Sequence, residues 1–550
     1  MKKTKQLLLL CISVSALIAC GGSKTSSESK IEIPKVEDPT ITTVTTFDEP
    51  QSLYTEKQKA FLSKSGEELA QMTQAEAAVL ADGKSNLSSP EPLKLEWENE
   101  ENDGFDHYEV AIYSNYDFKN PTIYESGKEK SIQIYNLAPG THYYQVKGIY
   151  EDGSEDLSDY YPVELDLSIG DGLYGTIRNW HVDGITNCRD MGGTPLAGGG
   201  TFKYGLLYRT SSFADYNMDK KKITDEGRKV VESWGLKKEI ELRGGPQGTG
   251  GESTFATATT VSEIPGVDYV FCPWAYQDGK NLIYRNIEPL RKVFDVLGDR
   301  DNYPIDFHCR IGTDRTGAVA LLVNGLLGVS LDDIYKDYMF SNFGNIGKTT
   351  YVNQTNEDST RAYVESLMSW PGENFHNKVY NFLSTIGVST EKLDTIIDVL
   401  TDGDKVTGNE HPANVIDASK ATAPAAASTQ TAVRDPSAYV KLAKNQEATF
   451  TYDLEDGVKG KLFANVKLAS GTHTAKLSTI LKAKVDGGEQ VLSNDVAIGW
   501  RNVSPCLGLV GDYWIPVELS DVELSPGEST ITIEALVDNL QISQVAVLPE

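Results

Sequence analysis

The chain is short of positive charge. Its 550 residues hold 51 lysines and arginines against 79 aspartates and glutamates, a formal net charge of −28, which argues against a nucleic-acid or anionic-membrane surface as partner. Cysteine is scarce as well. The 6 cysteines are scattered and show no Cys-x-x-Cys spacing, so neither a disulfide framework nor a structural zinc site is indicated. The 7 histidines form no metal-ligating pattern, and nothing calls for a metal or a cofactor. After the first twenty residues no apolar run is long enough to span a bilayer. A chain this long is expected to form several domains, each burying its own core.

What the chain does have is one dense polar turn. Residues 305–317 read Ile-Asp-Phe-His-Cys-Arg-Ile-Gly-Thr-Asp-Arg-Thr-Gly: an apolar strand, a turn, then an apolar helix. The spacing His-Cys-x5-Arg-Thr-Gly lets the chain curl once, so that successive backbone N–H groups point into one bowl above a helix N-terminus. Such a bowl suits a dianion such as phosphate. Cys309 is the candidate nucleophile, because amide dipoles, the helix end and Arg315 favour the thiolate and can bring a thiol from about 8.5 to roughly 3.5–7.5. Arg315 can hold two oxygens of a transferring phosphoryl group, which a lysine's point charge would not do. Arg310, Ile311, Gly312, Thr313, Asp314 and Arg315 line the bowl. His308 braces it from behind, and Thr316 offers its hydroxyl to the sulfur as that becomes the leaving group. The plain alternative is an inert buried cysteine beside a strand.

The rest of the chain divides by composition and period. Lys2, Lys3 and Lys5 precede an apolar run that closes at Leu17-Ile18-Ala19-Cys20, a signal segment over 1–19 rather than a membrane span. Residues 20–50 read as a solvated tether. Residues 51–87 are a helical segment, with one helix over 55–81 whose stripe is Phe61, Leu62, Leu69, Met72, Val79 and Leu80. Over 88–166 the period changes to two, and short strands with Trp97 predict a small β-sandwich. The catalytic domain occupies 167–405, where strands at 239–242, 268–272 and 305–307 alternate with helices over 224–234, 287–297 and 317–327. That order argues a mainly parallel sheet covered on both faces, with its site at strand C-termini. An Ala/Thr/Ser/Pro linker follows at 406–436, and a second β-sandwich at 437–550. There Trp500, Tyr513 and Trp514 are either core residues or sugar-stacking candidates. The expected architecture is therefore multidomain: an α/β domain flanked by two all-β sandwiches.

Four resemblances sharpen these expectations. The first twenty residues resemble a bacterial lipoprotein signal, which implies lipidation of Cys20, a membrane anchor and a place in the cell envelope outside the cytoplasm. Trp97, Leu137-Ala138-Pro139-Gly140-Thr141 and the strand after it resemble a fibronectin type III domain. The C-terminal strands weakly resemble carbohydrate-binding jelly rolls. Rhodaneses and arsenate reductases share Cys-x5-Arg, but the histidine and the Thr-Gly here resemble the protein tyrosine phosphatase superfamily. Asn187-Cys188-Arg189-Asp190-Met191-Gly192-Gly193, Gly205 to Ser211, Ile240 to Arg243, Gly328 to Ile334 and Tyr338 further resemble its secreted bacterial broad-specificity branch, over about 170–402. Cys188 and Glu241 depart from that branch, which usually has phenylalanine and aspartate there.

The resemblance implies a phosphomonoester hydrolase working through a phosphocysteine, on phosphotyrosine first. Arg310 supplies half of the basic signature of phosphoinositide phosphatases and Thr313 lacks the other half, so some activity on inositol lipids is expected. Two aspartates compete as general acid: Asp314, which the branch implicates, and Asp278, whose separation from Cys309 is similar to that in dual-specificity phosphatases. Arg189, Asp190 and Arg209 are either supports of the site or partners of a buried turn. Cys188 and Cys272 are either inert or able to trap an oxidised Cys309. The rival class is a lipid-anchored binding protein that holds phosphorylated ligands without turnover, which would not need the thiol.

Overall fold

The computed structural model describes residues 33–37, 39–80, 91–99, 104–114, 116–166, 168–169, 173–174, 179–214, 222–244, 261–274, 282–353, 360–408, 411–429, 435–468, 476–492 and 514–550. Cys20, Asp278, Trp500 and Tyr513 lie outside them. The chain falls into two compact units, one from Met1–Thr46, Glu96–Lys130 and His142–Pro162, the other from Phe47–Leu95, Ser131–Thr141 and Val163–Glu550.

In the first unit, strand His107–Tyr113 pairs antiparallel with Thr122–Gly127 and with Gly140–Ile149. Trp97 meets Tyr108 edge to face at 5.4 Å, a favourable aromatic geometry. The sandwich expected at 88–166 does not separate as one body, because parts of it belong with the second unit. In one of those parts Asn136 Nδ2 donates to the His181 carbonyl and its Oδ1 accepts from the His181 amide, both at 2.6 Å.

The second unit opens with three short helices where one was expected: α1 (Glu56–Leu62), α2 (Gly66–Gln71) and α3 (Gln74–Leu80). The breaks are written as capping signals. Thr55 and Ser65 each accept from the third residue on while that residue's side chain returns to the cap amide, and Thr73 and Glu76 exchange the same bonds; a new cap stops the preceding helix from continuing. Phe61, Leu62, Leu69, Met72 and Ala77 are buried against Met339, Phe340, Phe343 and Val352. Val79, placed on the expected stripe, is exposed, since each break rotates the apolar face.

The central sheet has strands β1 (Arg189–Asp190), β2 (Leu207–Ser211), β3 (Lys238–Glu241), β4 (Asp268–Phe271) and β5 (Ile305–Cys309), in the order β1-β2-β5-β3-β4. The β2–β5, β3–β5 and β3–β4 pairs are parallel and β1–β2 is antiparallel. Helices α4 (Asp225–Ser233), α5 (Ile287–Leu297), α6 (Asp314–Leu327), α7 (Leu331–Phe340), α8 (Thr360–Met368), α9 (Phe375–Thr385) and α10 (Thr390–Leu400) accompany it. The period-two alternation of strands sorts β5 cleanly. Ile305, Phe307 and Cys309 belong to the large apolar core with α5, α6, α9 and α10, so Asp306 and His308 point to the opposite face. Helix α6 starts at Asp314, three residues before the apolar run that foretold it. Asp314, Arg315 and Thr316 therefore form its first turn.

The C-terminal sandwich has two sheets, a six-stranded one around Leu540–Pro549 and a four-stranded one around Gly527–Ala535. The expected linker at 406–436 is corrected in part: Asn414–Asp417 is a strand paired with residues 544–547. Its composition hid it because the partner strand lies over a hundred residues away. Nor does this sandwich stand apart from the catalytic core. Phe463, Ala546 and Leu548 join that core; Phe463 stacks on Trp370 at 5.0 Å, Asn465 donates to Glu288 at 3.2 Å and Gln544 to the Thr385 carbonyl at 2.6 Å. Phe463→Ala, which removes a fully buried ring, is expected to cost about 3–5 kcal/mol. Urea unfolding followed by tryptophan fluorescence checks it: the transition should move to lower denaturant, whereas an unchanged midpoint would show that the sandwich and the α/β domain are energetically separate.

Candidate active site

Strand β5 delivers Cys309 to the mouth of the sheet, and the loop to α6 is shaped by what grips its carbonyls. Ser212 N–H donates to the Arg310 carbonyl at 3.2 Å. Asn187 Nδ2 reaches the Ile311 and Gly312 carbonyls, both at 3.0 Å, and Arg209 Nη2 reaches Gly312 O at 2.9 Å. In a planar trans peptide the C=O and the following N–H point opposite ways. Carbonyls drawn outward thus turn the amides of residues 311–313 inward. Gly312 makes the bend at φ +68°, where a Cβ would lie 2.4 Å from the Thr210 carbonyl, so only glycine fits.

Asn187, Arg189 and Arg209 are held in turn by Asp337 on α7. Arg189 Nε donates to one Asp337 oxygen at 3.0 Å and Arg209 Nη1 to the other, and Arg189 Nη1 donates to Asn187 Oδ1 at 2.6 Å. Both arginines are buried. Burial opposes ionisation of Asp337, but Arg209 and then Arg189 outweigh it and hold the carboxyl below its usual range. Arg189 and Arg209 are therefore supports of the loop. Asp190 is a turn partner, accepting from the amides of Gly192 and Gly205.

Cys309 is 2% exposed. Burial disfavours its thiolate, yet the Arg315 charge together with the hydroxyl and amide of Thr316 wins, and the thiol is held below its ordinary value. Thr316 Oγ1 is buried with no hydrogen-bond partner of ordinary geometry among the described residues, which leaves the hydroxyl available to the sulfur. Arg315 is buried and its Nη1 lies 3.4 Å from the Leu242 carbonyl. Thr313 is buried and caps α6, while Arg310, Ile311 and Asp314 are half-buried at the rim. Asp314 is paired through both oxygens with Lys348 Nζ, at 2.7 and 2.8 Å.

On the far face, His308 lies among carboxylates. Its Nε2 is 2.8 Å from Glu239 and its Nδ1 is 3.8 Å from Glu241. Burial works against the imidazolium, but Glu241 and Glu239 raise the group to about 9. Glu241 would be raised by burial and is instead held down to about 2 by Arg243 and His308. Burial pushes Asp306 up to about 8, against the His308 charge and a hydrogen bond from Thr210. A cation thus sits one residue from the nucleophile, on the opposite face of the strand. Glu241, the departure from the branch, is gripped by Arg243 at 2.7 Å and by Tyr269 at 3.0 Å.

Cys188 and Cys272 are buried, and burial pushes both thiols up, Cys272 to about 12. Each follows or precedes a strand two places away from β5 in the sheet, about 9–10 Å by strand spacing and beyond the reach of a disulfide. They cannot trap Cys309 without movement of the backbone. Trp514 is buried, donating to Asp435 at 3.2 Å, which removes it as a sugar platform. Sequence reading missed Glu239, Asp337 and Lys348 as members of this site. Asn187 and Tyr338 were in recognised packing motifs, so the neighbourhood of Asp337 was in view; the segment around Lys348 carries no pattern.

Residues 180–402 match the tyrosine phosphatase family. A protein of Cupriavidus necator named as a tyrosine-protein phosphatase is 30% identical over 178 residues, which cover 30% of this chain and 63% of that relative. The chain thus spans less than two thirds of that relative's length. Among solved structures, the core catalytic domain of the PP-IP phosphatase SIW14 of S. cerevisiae aligns over 27% of this chain and 78% of its own, at 22% identity and TM-score 0.18. A family 35 carbohydrate-binding module from Cellvibrio japonicus aligns over 25% and 92%, at 14% identity and TM-score 0.18. The family match and the C. necator relative support a cysteine-dependent tyrosine phosphatase domain here.

The His308 cluster carries a prediction. Its folded value of about 9 lies above the unfolded value of about 6.5, so its contribution is complete below about pH 6.5 and is lost as pH rises through about 9. Glu239→Gln removes one carboxylate partner. It should cost about 1–3 kcal/mol at pH 7 and move the alkaline loss of stability to lower pH, as urea unfolding from pH 6 to 10 would read; an unshifted profile would mean that His308 is not cationic.

Proposed function

We propose that the protein is a phosphomonoester hydrolase acting on phosphotyrosine first, with some activity on phosphoinositides. The observation that carries this is the placing of Cys309, with its thiol held below its ordinary value, at the floor of a loop whose amides face inward beside Arg315. Cys309 Sγ attacks phosphorus in line while Arg315 and the loop amides hold the equatorial oxygens. The P–O bond to the leaving group breaks as the S–P bond forms, and an acid protonates the departing oxygen. Water then attacks the phosphocysteine, the same carboxylate takes its proton, and the thiolate departs with the hydroxyl of Thr316 beside it. We take Asp314 as that acid, since it stands at the rim next to Arg315, with Asp278 as the competing residue. Arg310, half-buried at the same rim, supports the secondary activity on inositol lipids.

Around this domain we assign 1–19 as a lipoprotein signal with Cys20 lipidated in the envelope. The fibronectin type III-like and C-terminal sandwiches are non-catalytic. Trp500 and Tyr513 are the remaining candidates for sugar contact.

The test uses the full chain on a phosphotyrosine peptide, with Cys309→Ser beside it. Turnover should fall to background in Cys309→Ser; equal rates would end the enzyme reading and favour a binder. In the same assay Asp314→Asn should lose about 10²–10⁴ in rate together with the alkaline limb of the pH–rate profile. The same loss in Asp278→Asn alone would move the role there.

Place is tested separately. Wild-type protein should partition into detergent with the membrane fraction, and Cys20→Ala should release it. A wild-type protein found wholly in the cytosol would refute the anchor.

A further inference from the structure

The ion pair at the rim joins two parts of the chain that the reaction above does not connect. Asp314 opens α6, whereas Lys348 comes from the segment after α7, and its side chain is 39% exposed. That segment is firmly placed. Asn342 and Thr350 close it with two bonds, Nδ2 to the Thr350 carbonyl at 2.8 Å and the Thr350 amide to Oδ1 at 2.7 Å. At one side the Gly344 carbonyl accepts from the Asn187 amide at 3.0 Å, and Asn187 is the residue that also grips the phosphate loop. At the other, Val352 is buried with Phe61, Leu69 and Met72, and Asn353 donates to the Gln71 carbonyl at 3.2 Å. The three N-terminal helices therefore act as a buttress for the segment that presents Lys348.

The pairing poses a chemical problem. A carboxyl group bridged through both oxygens by an ammonium has neither oxygen turned to another partner, so Asp314 is not presented to the leaving group while Lys348 holds it. Something must draw the ammonium off. The scissile phosphate is engaged by Arg315 and the loop amides, and a half-exposed lysine is best drawn by a second anion beside it. A phosphate dianion competes for an ammonium better than a single carboxylate does.

We infer that Lys348 is a specificity and positioning residue, holding the Asp314 side chain at the rim until a substrate with a second phosphate beside the scissile one takes the ammonium away. This rests on the reading of Asp314 as the proton donor. Once released, the Asp314 carboxyl group is presented to the leaving phenolate oxygen and gives it a proton as the P–O bond breaks and the S–P bond forms. It ends as the carboxylate that accepts the proton of the hydrolytic water. The substrate class is thus a phosphomonoester flanked by another phosphate.

The experiment keeps the leaving group constant. Full-length protein is assayed on a phosphotyrosine peptide with neutral neighbours and on the same peptide with phosphoserine beside the phosphotyrosine, reading phenol release. Wild type should favour the doubly phosphorylated peptide in kcat/KM by about tenfold, the scale of one charge-assisted contact. Lys348→Met should abolish that preference by moving the two rates in opposite directions, down on the doubly phosphorylated peptide and up on the neutral one, because the ammonium no longer draws Asp314 to itself. Lys348→Arg should keep the preference. A parallel fall on both peptides, or an unchanged ratio, would overturn the inference. Asp314→Asn separates it from the reading beneath it. Wild-type rates in that variant would sink the acid assignment and the inference together; slow rates on both peptides, with Lys348→Met retaining the wild-type preference, would leave the acid standing and overturn the inference alone.

Discussion

Everything at this site depends on pulling three consecutive carbonyls outward. A bowl of inward amides is not a low-energy loop by itself, since like dipoles converge on an empty centre. The protein imposes it from outside with Ser212, Asn187 and Arg209, and the last two trace back to one carboxylate, Asp337, which is shared by two buried arginines. Burying two guanidinium groups beside one carboxylate leaves a net positive charge under the loop. That same excess favours a thiolate above it and a phosphate within it, so the scaffold that shapes the bowl also sets its electrostatics.

The second constraint is the alternation along β5. A strand must show opposite faces at successive residues, and here the faces have opposite chemistry. Cys309 lies on the apolar face with Ile305 and Phe307, whereas Asp306 and His308 lie on a face lined by Glu239, Glu241, Thr210 and Tyr269. Glu241 is held down because Arg243 and His308 flank it, whereas Asp306 is pushed up because His308 and Thr210 do not offset its burial and the charge of Glu239. The result is a fixed cation immediately behind the nucleophile. It is made by residues that never reach the substrate.

The surrounding modules matter through packing. The N-terminal helices cover α7 and the segment after it, and the C-terminal sandwich closes the large core through Phe463 on Trp370. A catalytic domain cut at 405 would expose the apolar surface that these partners bury. Capping signals at Ser65 and Thr73 divide the helical segment into three short helices.

By itself the sequence determined the nucleophile loop, the order of strands and helices around it, and the positions of α5 and β5 nearly to the residue. These are local matters: a spacing of five between cysteine and arginine, a change of hydrophobic period, a cap. What only the tertiary structure decided is which distant groups converge. Asp337 falls beside Arg189 and Arg209, Lys348 beside Asp314, Glu239 beside His308, and a strand inside an apparent linker finds its partner near the C-terminus. None of these pairs leaves a periodic trace, because a salt bridge or a sheet pairing between segments tens to over a hundred residues apart constrains one residue in each rather than a pattern in either. The distance of Cys188 and Cys272 from Cys309 has the same origin, for strand order in a sheet is set by crossover packing and is invisible in the strands themselves.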